Sequence, residues 1–289
     1  MRTTLDHLPP VRREQLQAII KIIARIIRPE KVMLFGTFAT TAGTGISHSG
    51  EEFPEFSASY ELLVVTRRGD RRYDYEIQDL VSNSCHYRTP VTVLVHDIDY
   101  VNAQLSNGQY FFAMLNQEAI LLYDAGHIPL VATAPPDLAL IRSVAKKDFD
   151  QWWLRAKAFF TSSLFNRKER EWKIAVFLLH QAAENAYQAI LLSFTGYKPC
   201  THNLDKLRRY TNRFSVELVM LFPRDTPEED RLFKLLLHGY VDARYKEEYC
   251  ITRHELELLI WRISKLLSIA TRICRNRFIS LDKMAAMHG

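Results

Sequence analysis

Residues 175–194 read AVFLLHQAAENAYQAILLSF, and this stretch decides how the C-terminal part of the chain folds. It contains no Gly or Pro and is rich in Ala and Leu, so it predicts an uninterrupted helix. At about 100° per residue, His180, Gln181, Glu184, Asn185 and Gln188 share one sector of roughly 140°, and almost everything outside it is apolar. No Lys or Arg falls in that sector. A face turned to water usually carries mixed charge. A row of imidazole, amide and carboxylate groups instead reads as a semi-buried hydrogen-bonding surface. Two uses stay open for it: an inter-helix polar network or dimer seam, and direct contact with a ligand.

Outward from this helix the pattern stays helical. Further helices are predicted over about 137–165, 168–195, 215–222, 227–246 and 253–276. Upstream of Ala134-Pro135-Pro136 the pattern changes. Pro9-Pro10 opens a helix to about Arg28, with Leu16, Ile19, Ile20, Ile23, Ile26 and Ile27 on one face. KVMLF at 31–35, YELLVVT at 60–66, PVTVLV at 90–95 and AILLY at 119–123 read as strands, with helices over 73–82 and from about Asp97. The polar stretch 40–57 reads as a loop. The expected fold is thus a small mixed-sheet α/β domain over 1–133, followed by an all-α bundle over 134–289.

Composition narrows the class. The chain has 289 residues, 47% hydrophobic and 25% charged, which is the globular range. A net charge of +5 permits contact with phosphates without requiring it. Cys85, Cys200, Cys250 and Cys274 form no CxxC pair, so neither a zinc site nor a disulfide framework is expected. No apolar run reaches a membrane span, and the N-terminus lacks the apolar stretch of a secretory signal. The default expectation is a cytoplasmic setting.

The central helix also carries a family resemblance. His180-Gln181-Ala182-Ala183-Glu184-Asn185-Ala186 resembles the HEPN signature. Gly196-Tyr197-Lys198-Pro199, Thr201-His202-Asn203-Leu204 and Tyr240-Val241-Asp242-Ala243-Arg244-Tyr245 resemble later blocks of the same family, in the same order. The resemblance implies a helical bundle that commonly forms homodimers. Its members are either RNA-cleaving toxins, in toxin–antitoxin-like settings, or non-cleaving nucleotide-binding modules. It also implies a frequent neighbour, a minimal nucleotidyltransferase.

The N-terminal domain resembles that neighbour in outline. In nucleotidyltransferases a strand ends in a Gly-Ser turn that cradles phosphates, a helix follows, and the next strand carries Asp-x-Asp for Mg²⁺, which binds oxygen ligands. Here Leu34-Phe35-Gly36-Thr37 stands at the turn, Ser59 and Glu61 at the two aspartates, and Thr92 at a third carboxylate. One carboxylate out of three localises a divalent cation poorly, so a degenerate domain without a metal is expected. The plainer alternative makes Gly36 an ordinary turn and Glu61 an exposed strand residue.

Cleaving HEPN proteins pair Arg with His across four to six intervening residues in a metal-free mechanism. Histidine moves the ribose 2′-OH proton and arginine stabilises the phosphorane. Arg231 and His238, with six residues between them, are the only candidates here, and Leu232 replaces the usual polar neighbour. Arg244 and Tyr245 lie with Asp242 near Tyr249; Arg244 either bridges to Glu184 or Asp242, or contacts phosphate. The last helix adds Arg253, Arg262, Lys265, Arg272, Arg275 and Arg277, a solvated face or a phosphate-facing one. The expected protein is a non-cleaving, nucleotide- or RNA-associated HEPN homodimer. ATP or GTP is the candidate ligand, no cofactor is required, and the nucleotide-binding candidates are Gly36, Thr37, Glu61, His180, Glu184, Arg244 and Tyr245.

Overall fold

The structure, a computed structural model, describes residues 4–5, 8–46, 52–85, 91–134 and 136–288, with the side chains of 38–46, 52–59 and 288 outside that description. It forms two compact units, Met1–Pro136 and Asp137–Gly289. The first is a small mixed sheet with helices and the second is helical.

In the first unit, α1 (Pro10–Ile27) starts on a proline, whose missing N–H costs nothing at a helix start, and buries Leu16, Ile19, Ile23 and Ile27. Strands β1 (Lys31–Ile46) and β2 (Glu52–Thr66) pair antiparallel. After α2 (Asp74–Cys85), β3 (Val91–Asp97) pairs parallel to β2. Helices α3 (Ile98–Ser106) and α4 (Tyr110–Glu118) lead to β4 (Ile120–Asp124), antiparallel to β1, so the sheet order is β3-β2-β1-β4. Tyr60 and Leu62 to Val65 on β2 are wholly buried, as befits a strand with neighbours on both sides.

The expected loop over 40–57 is instead most of a β-hairpin: β1 runs on to Ile46 and β2 begins at Glu52, while residues 47–51 lie outside the described residues. Thr37, Thr40, Thr41 and Thr44 suit a strand, and antiparallel pairing supplies the hydrogen bonds that polar composition hides. Gly36 is consequently not a strand-ending turn. It sits inside β1 at a register irregularity between Leu34 and Gly36, and no helix follows it among the described residues between β1 and β2.

The second unit is built around α6 (Trp172–Thr195), seventeen of whose 24 residues are buried. Burial on almost every face makes it the central helix. It packs against α5 (Leu138–Lys168), α7 (Leu204–Thr211), α9 (Pro227–His238), α10 (Asp242–Tyr245) and α11 (Arg253–His288); α8 (Val216–Met220) packs on α11. α5 starts at Asp137, whose side chain accepts from the Leu140 N–H. α6 ends at Gly196, whose φ of 62° is the left-handed cap that glycine adopts without cost.

Two helix boundaries depart from the sequence pattern. The expected helix over 227–246 breaks after His238, and the last helix runs to His288 rather than to 276. The break falls at Gly239, where a β-carbon would meet Val176 Cγ1 at 2.8 Å, the Leu236 carbonyl at 3.1 Å and the Val176 carbonyl at 3.3 Å. Only glycine lets this backbone lie so close to α6. Gly239→Ala is therefore expected to lower the thermal midpoint, because overpacking costs roughly 1–3 kcal/mol, more than the ~1 kcal/mol alanine gains in helix propensity. Circular dichroism melts check this, and an unchanged or raised midpoint would contradict the close approach.

Candidate functional site

The polar row of α6 lies inside the bundle. His180, Glu184, Asn185 and Gln188 expose 1%, 6%, 5% and 1% of their surface. The row therefore does not face a second copy, and the dimer-seam use of it is corrected: neighbouring segments of the same chain already cover it. His180 Nδ1 lies 2.9 Å from the Leu236 carbonyl. A carbonyl only accepts, so Nδ1 carries the proton and Nε2 presents a lone pair. That buried Nε2 has no hydrogen-bond partner among the described residues and stands 3.9 Å from Glu184 Oε2. Glu184 Oε1 is 2.8 Å from Nδ1 of His202, an exposed side chain on the turn before α7. Gln181 Nε2 donates to Glu184 Oε2 at 3.4 Å, and Asn185 Nδ2 donates to the Gln181 carbonyl at 2.8 Å.

These interactions bring together three of the resembling stretches, those of His180, His202 and Tyr240. The Tyr240 ring lies 5.5 Å from the His180 ring, 6.4 Å from His202 and nearly parallel to it, and 6.2 Å from Phe177. Arg244 completes the cluster. Its Nε donates to the Tyr240 carbonyl at 2.6 Å, and its guanidinium carbon stands 4.5 Å from the Tyr240 ring and 4.9 Å from both Phe177 and Tyr245. Lys173 Nζ, donating to the carbonyls of Lys246 and Glu247, ties α6 to the segment after α10. The expected Arg244 bridge to Glu184 or Asp242 is replaced: Glu184 takes His202, and Asp242 takes Lys246 at 3.1 Å and His238 at 3.6 Å. Arg244 and Tyr245 both remain exposed.

Arg231 and His238 line one open cavity of about 670 Å³, with Lys234, Lys246, Tyr249 and Cys250 also on its wall. Both are engaged there by acids. Arg231 Nε bonds Glu255 Oε1 at 2.7 Å, and His238 Nδ1 faces Asp242. The basic residues of α11 do not form one face: Arg262 is tucked against Phe222 and 4.0 Å from Glu229, Arg272 pairs with Glu217, and Arg277 lies over Phe194.

In the first unit, strand register places Gly36, Glu61 and Thr92 side by side on β1, β2 and β3. Glu61 is 2% exposed and Thr92 6%, so the reading of Glu61 as an exposed strand residue is overturned. The Glu61 carboxylate occupies the space against Gly36: a β-carbon on Gly36 would stand 2.2 Å from Glu61 Oε2. A phosphate approaching that glycine would meet a carboxylate. Thr37 is half-buried opposite Tyr60, and Ser59 pairs with Phe38.

Phe177 and the partnership of His202 with Glu184 were not apparent in the sequence. Phe177 stands three residues before His180 and so near its face, which is the signal that could have found it.

The second unit is thus a helical bundle whose central helix carries a buried polar row, capped at one side by an aromatic and guanidinium cluster. Residues 149–273 match the family model of the HEPN domain, and over those residues the chain is a HEPN domain. No curated protein matches the chain. No helix among the described residues is long and apolar enough to cross a membrane.

Burial pushes the His180 pKa below its ordinary 6.5, against the opposing pull of the Leu236 carbonyl and Glu184. The unfolded chain then binds this proton more readily than the folded one. Stability therefore falls as the pH drops below about 6.5. Burial likewise pushes His96 in the first unit down to about 4, with the same sign. His180→Gln, which keeps a donor for the Leu236 carbonyl, should flatten the loss of thermal midpoint between about pH 7 and pH 5. Identical pH profiles for the two proteins would show that His180 is not held neutral.

Proposed function

We propose that the helical domain is a non-cleaving, nucleotide- or RNA-associated HEPN module, and that the N-terminal unit is a nucleotidyltransferase-like scaffold without transfer activity. At the level of the family, a HEPN domain supports association with nucleotide or RNA. One observation carries the finer reading. Arg244 is an exposed guanidinium seated among three aromatic rings and anchored through Nε, and among the described residues no carboxylate pairs with it. Its terminal nitrogens are then the donors a phosphate needs, while Tyr240 and Tyr245 offer ring faces for a base. Calorimetry against ATP, GTP and a short RNA tests this. A charge-assisted hydrogen bond is worth ~1.5–3 kcal/mol, so Arg244→Ala is expected to weaken binding about tenfold or more, with melting curves run in parallel to establish that the variant is folded at the assay temperature. Undiminished binding by Arg244→Ala would remove the reading.

The scaffold role rests on the Glu61 carboxylate packed against Gly36 and on Ser59 and Thr92 at two of the three metal-ligand positions. Among the described residues, no three His, Cys, Asp or Glu side chains are grouped to hold a metal ion. Labelled ATP is expected to leave no transferred label, and a transfer signal lost in Glu61→Ala would contradict this. The RNase alternative keeps one supporting observation, the shared cavity of Arg231 and His238. Intact RNA after incubation with the wild-type chain is the expected outcome, whereas cleavage abolished by His238→Ala would promote that alternative.

A homodimer through the helical domain belongs to the same proposal, through a different face from the polar row. Leu140, Val144, Leu154 and Phe165 are exposed on α5 at intervals that follow a 3.5-residue repeat, as a helix-to-helix seam requires. Light scattering is expected to give about twice the 33.7 kDa chain mass, and Leu154→Glu with Phe165→Glu is expected to give the monomer. A wild-type monomer at high micromolar concentration would end the dimer reading.

A further inference from the structure

The segment 204–214, LDKLRRYTNRF, builds a charged cluster of its own. Three guanidinium groups converge on one carboxylate. Asp205 lies 2.7 Å from Arg209, 3.0 Å from Arg208 and 4.0 Å from Arg224. Arg224 continues to Asp230 at 2.6 Å, and Asp230 also holds Lys234 at 2.7 Å. Four cations thus face two carboxylates, leaving two positive charges uncompensated within the cluster.

The arrangement is anchored rather than loosely solvated. The side chains of Asp205 and Arg208 are only 16% and 12% exposed, whereas Arg209 and Arg224 stand about one-third exposed above them, at 35% and 36%. The guanidinium carbons of Arg208 and Arg224 both lie over the Phe233 ring, at 5.1 and 5.5 Å. The Phe233 ring and the bonds from Arg208 to Asp205 and from Arg224 to Asp230 hold both groups in place, so little side-chain freedom remains to be lost on binding. Burial works against the charge on Asp205, but Arg209 and Arg208 outweigh it and hold its carboxyl below the usual value.

A network serving stability alone needs about one cation for each carboxylate. Surplus guanidinium groups a few ångströms apart repel one another and cost folding energy, which a bound anion would relieve. Arginines held in place, in excess and partly exposed suit bidentate contact with phosphate oxygens.

We propose that Arg208, Arg209 and Arg224, set around Asp205, form a second contact surface of the HEPN domain, one that takes successive phosphates of a single-stranded RNA backbone. The proposal rests on the nucleotide- and RNA-associated reading above and extends it: Arg244 with its rings takes one nucleotide, and this surface distinguishes a chain of nucleotides from a mononucleotide.

The test uses the full chain and fluorescence anisotropy of a labelled 12-nucleotide single-stranded RNA, titrated over a range of salt, beside calorimetry with ATP and GTP. Arg209→Gln with Arg224→Gln leaves Arg208 to hold Asp205. It is expected to weaken RNA binding tenfold or more at low salt. For every phosphate the variant no longer holds, the log–log salt dependence should become shallower by about 0.7. Mononucleotide binding should stay as in the wild type, and Arg209→Lys with Arg224→Lys should restore most of the salt dependence. Melting curves run in parallel, and if the double variant melts early, the peripheral Arg209→Gln alone carries the test with half the change in slope. Unchanged RNA affinity and salt dependence in the Gln variants, while Arg244→Ala abolishes binding, would overturn this surface and leave the functional reading standing. RNA bound no more tightly than a mononucleotide would overturn it as well. A wild-type chain that binds neither RNA nor mononucleotide would overturn both.

Discussion

The hydrogen bond from His180 to the Leu236 carbonyl is the interaction on which the helical domain depends. It joins the buried middle of α6 to the last turn of α9, and it fixes which nitrogen of the imidazole bears the proton. A polar group removed from water must find a partner or cost free energy. The row His180, Gln181, Glu184 and Asn185 therefore dictates what packs over it. The end of α9 supplies a carbonyl, the turn before α7 supplies His202, and Tyr240 covers the rings. Gly239 completes the arrangement, because a residue with a β-carbon could not lie against Val176 at the distance this hydrogen bond imposes.

The same constraint shapes the candidate site. His180 and Glu184 are buried and form the floor on which the exposed groups rest. Tyr240 rests on that floor, Arg244 is tied to the Tyr240 carbonyl, and Tyr245 extends the ring surface outward. The exposed guanidinium thus belongs to the short helix α10 and not to the α6 row. The cavity that holds Arg231 and His238 follows a different logic, since both basic side chains there face carboxylates, Arg231 the Glu255 carboxylate and His238 the Asp242 carboxylate that Lys246 shares. The α7 cluster departs from both: its cations outnumber its acids.

The N-terminal unit depends on backbone pairing more than on side-chain chemistry. β2 lies between β1 and β3, and this register sets Glu61 beside both Gly36 and Thr92. The glycine makes room for a buried carboxylate rather than for an approaching phosphate. A motif that reads as a phosphate cradle in one dimension becomes, once paired, a packing contact between two strands.

Much of this was legible in the amino-acid order. The 3.6-residue period of 175–194 specifies a long helix, the absence of Lys and Arg from its polar sector marks that sector as buried, and the block order identifies the HEPN domain. Local rules suffice for such features, because helix period and capping act over a few residues. The strand nature of 37–46 was hidden, since its Thr, Ala and Gly gain strand character only from a partner strand distant in sequence. The break at Gly239 depended on an approach to Val176 more than sixty residues away. The partners of Glu184, Arg231 and Arg244 were likewise set by tertiary packing, because a charged side chain takes whichever opposite charge, carbonyl or ring the fold brings within reach. The sequence by itself determined the helices, the buried polar row and the family of the second unit. Only the tertiary structure decided which of its cations are matched by carboxylates and which remain in excess, because charge compensation is a property of distances between elements and not of order along the chain.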